Sequence, residues 1–422
     1  MKNSAQSPRD SRKGSTYVIA SEAKQSSGNV FYSLMIVIFV LPFTSVLAST
    51  DDEMMKGFSS STGISEAEKL GTEDERLKIG GTFWTELDYY GLSTSENKQW
   101  LFNPNNLWVY GDARLRNNVR AFVKGRLIYD PVISGNAVSP LTGLTIRQFE
   151  SSLDEAKLMF NAGRLVYFTV GRQKIKWGSG KFWNPTDFLN TSRREMFRSE
   201  DYRSGLTLLK THVPIGRANL ILIQDLEGAS KPSLVGHAAR AELALSSSEI
   251  ALSAFSKTGR KAVIGLDVSF AVWDFDLYAE SAYTKDVFKT VVGVSYDYKV
   301  SDSDTISFGL EYFYNGDGYT NTDLYLGAVA GGTYIPYYLS QHYGMFMIWL
   351  PSPGRLDDFT FTLFNLVNLT DHSAVSRLNV DIKLLQDIKC NLAFGVHYGN
   401  ANGELRLGGQ SVDLQGGLRV EF

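Results

Sequence analysis

Cysteine is almost missing from this chain: Cys390 is the one copy in 422 residues. No intramolecular disulfide can form, and metal sites built from several thiolates are excluded. Histidine is scarce as well. His212, His237, His342, His372 and His397 stand singly, without HExxH or any other short ligand spacing, so the sequence offers no metal site and calls for no cofactor. Neither charge is in large excess: 42 Lys and Arg against 45 Asp and Glu leave a formal charge of −3. That balance gives no grip on a phosphate backbone, and no nucleic-acid partner is expected. Serine-hydrolase chemistry lacks its GxSxG elbow, and no enzyme activity is expected. The stretch Asn315-Gly-Asp317-Gly-Tyr-Thr-Asn-Thr-Asp323 is rich in oxygen ligands but lacks the bidentate Glu that closes a calcium loop.

Long apolar runs are limited to one, from Val30 to Ala48, which excludes a bundle of transmembrane helices. Within it, Leu34-Met-Ile-Val-Ile-Phe-Val-Leu41 and Pro42 lead to Val46-Leu47-Ala48 before Ser49. This is the pattern of a cleaved secretory signal, with small Ala48 just before the cut. Four segments follow from it. Residues 1–28 are polar and without apolar periodicity, as expected of a start placed too far upstream; 29–48 are the signal peptide. Residues 49–76 carry Asp51, Asp52, Glu53, Glu66, Glu68, Glu73, Asp74 and Glu75 and read as a flexible periplasmic lead-in. Residues 77–422 hold the fold.

That last segment is rich in what a half-wetted sheet needs. Hydrophobic residues make up 43% of the chain and aromatics 13%, with 21 Tyr, 25 Phe and 38 Gly, a balance that suits strands with one face in lipid and one in water. The dominant signal is alternation with a period of two. Ile306, Phe308, Leu310, Tyr312 and Tyr314 oppose Thr305, Ser307, Gly309 and Glu311. Val119, Ala121, Val123, Gly125, Leu127 and Tyr129 oppose Arg120, Lys124, Arg126 and Asp130, and Ala374, Ser376, Leu378, Val380, Ile382 and Leu384 oppose Arg377, Asn379, Asp381 and Lys383.

Strands are predicted near 78–90, 106–116, 118–130, 153–161, 164–177, 204–213, 218–226, 237–245, 249–257, 261–273, 275–284, 288–299, 304–315, 342–350, 358–369, 373–385, 388–398 and 411–422. The fold class is an all-β transmembrane antiparallel barrel of about 18 strands, or 16 on the shortest count. Tight connections at Asn117-Asn118, Asn161-Ala162-Gly163 and Val213-Pro-Ile-Gly216 alternate with long ones at 91–105, 131–145, 178–203 and 225–236. An even count returns the chain to the periplasmic side. On the last strand Val412, Leu414, Gly416, Leu418, Val420 and Phe422 form the lipid face. Phe422 is the candidate assembly signal for the barrel-assembly machinery.

One segment resembles a family. Gly171-Arg172-Gln173-Lys174-Ile175-Lys176-Trp177-Gly178, Asn184-Pro185-Thr186-Asp187-Phe188-Leu189-Asn190 and Tyr202-Arg203-Ser204-Gly205-Leu206 resemble porin-like outer-membrane proteins of Gram-negative bacteria, a loose set that includes alginate-export-like barrels. The match covers about 50 residues. It implies passive or selective passage of small polar or charged solutes, with outer-membrane lipid and lipopolysaccharide around the wall. A long third loop from Gly178 to Arg203 carries Asn184, Asp187, Arg193, Arg194 and Arg198 as constriction candidates; the alternative is a solvated rim.

Parity assigns the lumen. Arg114, Arg116, Arg120, Lys124, Arg126, Arg172, Lys174 and Lys176 form an expected basic wall, and Asp267, Asp276, Glu280, Asp297 and Glu311 an acidic one about eight strands away. The alternative function is a non-conducting surface barrel that binds or exports polysaccharide, with Tyr334-Ile-Pro-Tyr-Tyr338 as stacking aromatics.

Overall fold

The computed structural model describes residues 76–92, 100–116, 118–138, 145–190, 197, 201–301, 304–332 and 334–422. The upstream segment, the signal peptide and the lead-in up to residue 75 lie outside the described residues.

Eighteen antiparallel strands make the wall. In chain order they are β1 (Leu77–Leu92), β2 (Asn105–Arg116), β3 (Val119–Tyr129), β4 (Phe149–Ala162), β5 (Val166–Gln173), β6 (Leu206–Ile215), β7 (Ala218–Asp225), β8 (Gly236–Leu245) and β9 (Ser248–Ser256). Then follow β10 (Val263–Val272), β11 (Phe275–Thr284), β12 (Val287–Lys299), β13 (Thr305–Asn315), β14 (His342–Pro351), β15 (Phe359–Asn368), β16 (Ser373–Leu385), β17 (Ile388–Gly399) and β18 (Gln410–Glu421). Each pairs with the next, and β18 pairs back onto β1, from Thr82 opposite Glu421 to Gly91 opposite Val412. The sheet closes on itself, so no strand edge is left unpaired.

Alternation decides which way each strand faces. Leu310 and Tyr312 on β13, Val292 on β12, Leu266 on β10 and Leu414 on β18 are exposed on the outside, while Glu311, Phe313, Val291, Asp267 and Asp413 are buried inside. A one-residue slip would exchange the two sets, which is why the register is strongly fixed. Connections at one rim are mostly tight, such as 163–165, 216–217 and 246–247; at the other rim they include 130–148, 174–205 and 316–341. The last of these holds a single short helix, α1 (Tyr325–Ala330). Among the described residues no helix is long and apolar enough to cross a membrane.

Two strands differ from their sequence-based extents by more than two residues at an end. β4 starts at Phe149 rather than near 153, because a bulge at Asp154 gives the strand two parities: Lys124 pairs with Glu155, and the next residue, Gly125, with Leu153. β5 stops at Gln173 rather than 177. Gly171 there has φ +117°, and a Cβ would collide with the Ala156 carbonyl, so the chain leaves the wall at a point only glycine tolerates.

Candidate functional site: a loop folded into the barrel

The chain leaving β5 turns into the lumen. Gln173 is buried and donates from its amide to the carbonyls of Thr169 (3.2 Å) and Leu208 (3.3 Å). Beyond it Trp177 packs edge-on to Phe188 at 5.5 Å, and both join Leu189, Leu208, Ile223 and Phe255 in an apolar cluster on the inner face of β6–β9. Gly178, at φ +103°, lies so close to Glu280 that a Cβ would overlap the carboxylate.

From here the loop is fastened by carboxylates of the far wall. Glu280 on β11 accepts the backbone N–H groups of Gly180 (3.1 Å) and Thr186 (3.3 Å). Asp267 on β10 accepts the Thr186 hydroxyl at 3.0 Å and the Arg240 guanidinium at 2.5 Å. Glu311 on β13 receives three successive N–H groups, from Lys181, Phe182 (3.0 Å) and Trp183 (3.3 Å), together with the Tyr278 hydroxyl at 2.8 Å. Glu311 stands eight strands from β5, so the loop crosses the lumen to reach it. Trp183 is fully buried there, stacked on Phe313 at 5.3 Å, with its indole N–H on the Tyr337 carbonyl at 3.0 Å.

The return leg is built by the segment that carries the family resemblance. Asp187 accepts from Asn190 (2.7 Å) and from Arg203 (2.8 Å), and Arg203 also holds Asp201. Burial alone would raise the Asp201 carboxyl, but the hydrogen bonds and charge of Arg203, with Lys174 nearby, bring it down to about 2. Asn184 donates to the Gly180 carbonyl at 2.6 Å. These side chains fix the loop to itself.

Two further loops fill the same side. The loop after β13 and the turn at Glu404–Arg406 cover Tyr343, Met345, Phe364, Leu366 and Val375, so β13–β16 carry a hydrophobic cluster on their inner face. Glu404 ties these loops together, accepting from Tyr337 N–H (2.8 Å), Asn368 (3.0 Å) and the Tyr343 hydroxyl (2.5 Å). Burial pushes its carboxyl up to about 8, helped by the charge of Asp371 and opposed by the Tyr343 bond.

The expected basic wall is divided by the structure. Arg114, Arg120, Lys124, Lys174 and Lys176 lie on the lumen side, Arg120 bonded to Asp112, Lys124 4.0 Å over the Trp108 ring and Lys174 5.8 Å from the same ring. Arg126 departs from the expectation: it is buried, with Asp154 at 3.4 Å, Glu150 at 3.5 Å and the Tyr202 carbonyl at 2.6 Å, and clamps the loop's end. Arg172 departs too. It pairs with Ala156 and Thr207 on the face of Phe168 and Val170, outside the barrel, and meets Glu227 of the next loop at 3.6 Å, because alternation along β5 puts it two residues on from Val170 on the apolar face. Arg116 ends β2, with its side chain outside the described residues.

The acidic wall is altered more. Asp267, Glu280 and Glu311 are buried beneath the loop and serve as its acceptors, whereas Asp276 and Asp297 stay exposed. Alternation had no means of seeing that a segment 80 to 130 residues away in sequence covers Asp267, Glu280 and Glu311. Of the constriction candidates, Asn184 and Asp187 lie within the loop, and Arg193, Arg194 and Arg198 lie outside the described residues. Lys157, paired with Glu155 at 2.7 Å, was missed because the bulge resets parity. Lys181 lies on the same predicted loop but was not among its constriction candidates, because nothing in a loop's sequence says which of its charges meets the wall. Phe422 exchanges both backbone hydrogen bonds with Gly81 (2.7 and 2.9 Å) and exposes its ring outside. Tyr337, offered above as a stacking aromatic, is buried against Phe197.

No protein-family model matches the chain, and no curated protein matches its sequence. Solved structures do resemble it in fold. Pseudomonas aeruginosa OprD aligns with a TM-score of 0.54 over 83% of this chain and 96% of its own, at 8% identity. Acinetobacter baumannii OccAB1 aligns at 0.56 over 82% and 97%, at 10% identity. The likeness is one of architecture, an 18-strand porin-type barrel.

Proposed function

We propose that the chain is an outer-membrane channel that passes small polar or charged solutes through a lumen narrowed by its third long loop. The observation that carries the reading is the loop at 174–205, which crosses the lumen and is fastened to the opposite wall by Glu280 and Glu311. A barrel that served only as a surface platform has no need to bring a long charged loop inward. The outer face supports the setting: soluble proteins rarely expose a large contiguous apolar patch, and here exposed Leu, Val, Phe and Tyr recur around the wall. Every strand finds its backbone partners within the closed sheet, as a bilayer requires. Lipid and lipopolysaccharide would surround this face, and β18 with Phe422 would present the assembly signal.

The basic side chains Arg114, Arg120, Lys124 and Lys174, with Lys157, set the electrostatics of the open side. The acidic side is reduced to Asp276 and Asp297. The test is planar-bilayer recording of protein purified from outer membranes, which is expected to begin at Ser49 and to migrate more slowly on a gel after heating. Stepwise ionic conductance is the expected result. A heat-modifiable barrel that conducts no ions would refute the channel reading and leave a surface-binding barrel.

A further inference from the structure

This inference deepens the channel reading and rests on it. Three of the five carboxylates that parity assigned to one wall, Asp267, Glu280 and Glu311, are engaged by the loop, and beside them the loop presents two lysines. Lys176 is exposed and Lys181 half-buried. The Lys181 backbone N–H is held by Glu311, and its ammonium lies 5.6 Å from the centre of the Tyr278 ring. Asp276 stands two residues along β11 from Tyr278, and Asp297 lies on neighbouring β12; both are exposed, and both act with Glu311 on the charge of Lys181, while Lys176 opposes it. Where the loop meets the wall, Lys181 therefore stands within reach of the charges of two exposed aspartates and of Lys176.

We propose that Lys181, seconded by Lys176, is the specificity-determining residue of the constriction, giving it a preference for small anions over cations. The position is set by geometry: Glu311 fixes the backbone, and the Tyr278 ring directs the side chain. A cation in a narrow, low-dielectric passage raises the local concentration of anions and repels cations. Burial brings the Lys181 ammonium down to about 8, with Lys176 pushing the same way and Glu311, Asp276 and Asp297 pulling back. Above that value the loop edge loses a positive charge, and Asp276 and Asp297 face one cation fewer.

The experiment is the reversal potential in a potassium chloride gradient, followed from about pH 7 to about pH 9. In the unaltered protein the chloride-to-potassium permeability ratio should fall about threefold across that range. Lys181→Gln should start at the lower ratio and stay flat. Lys181→Arg should keep the higher ratio and also stay flat, since guanidinium does not titrate there. Glu404→Gln should leave the profile in place, because Glu404 belongs to the packed loops; its flattening the profile would overturn the assignment. Heat-modifiable migration of each variant shows that its barrel has formed. Conductance with a profile that survives Lys181→Gln overturns this assignment alone, whereas absence of any conductance in the unaltered protein overturns the channel reading and this assignment with it.

Discussion

At the residue scale, the fold of the lumen turns on a few carboxylates with unusual work. Glu311 collects three consecutive backbone N–H groups and a tyrosine hydroxyl. Removing such an acceptor leaves buried donors unpaired, at about 1–3 kcal/mol each. Glu311→Ala should therefore loosen the loop without opening the wall, since the strand hydrogen bonds of β13 are untouched. Bilayer recording should show a higher, noisier single-channel current from a barrel that still migrates faster unheated than heated. Currents identical to the unaltered protein would mean that the loop does not narrow the path. Glu311→Gln, which keeps an oxygen acceptor but lacks the charge, should fall between the two.

At the element scale, β18 closes the sheet and β5 opens the lumen to its own loop. β18 pairs with β17 on one side and with β1 on the other, from Ile388 opposite Val420 and Thr82 opposite Glu421 onward. Deleting Val412 to Phe422 would leave two unpaired edges in a medium with no water to satisfy them. The truncated chain should fail to reach a heat-modifiable form, and Phe422→Ser should slow assembly more than it weakens the finished barrel. Recovery of the truncated chain as a normal barrel would remove this strand from the wall. β5 shows the opposite use of a strand end: Gly171 and Gly178 take positive φ, and the chain exchanges the sheet for the lumen.

At the scale of the whole molecule, the interior is asymmetric. Loops and an apolar cluster fill the side of β10–β16, and the side of β2–β5 keeps Arg114, Arg120, Lys124 and Lys174 on its inner face. Changing these four to Glu should move the reversal potential toward cation preference, and the shift should shrink as salt shortens the screening length. Arg172→Glu, outside the barrel, should leave the reversal potential where it was. An unchanged potential in the fourfold variant, with conductance intact, would mean that the solute path runs elsewhere.

Much of this was legible in the residues. Period-two alternation located all eighteen strands, because lipid and water impose opposite demands on successive side chains and the pleat repeats every two residues. The same rule put Glu280, Glu311 and Arg120 on the inner face. It failed at Lys157, where a bulge resets the count between Lys124 and Gly125, and at Arg172, whose charge was read as lumenal although it shares the face of Val166, Phe168 and Val170; it was silent on Lys181, since a loop has no alternating faces. What the lumen contains was decided only in three dimensions. Closure of the sheet brings Glu311 within hydrogen-bond reach of residues about 130 positions earlier, and a carboxylate that reads in sequence as a wetted wall becomes the buried anchor of a loop. The sequence by itself determined the wall, because lipid acts on each strand locally; the tertiary structure decided the channel, because its shape depends on which distant segment covers which charge.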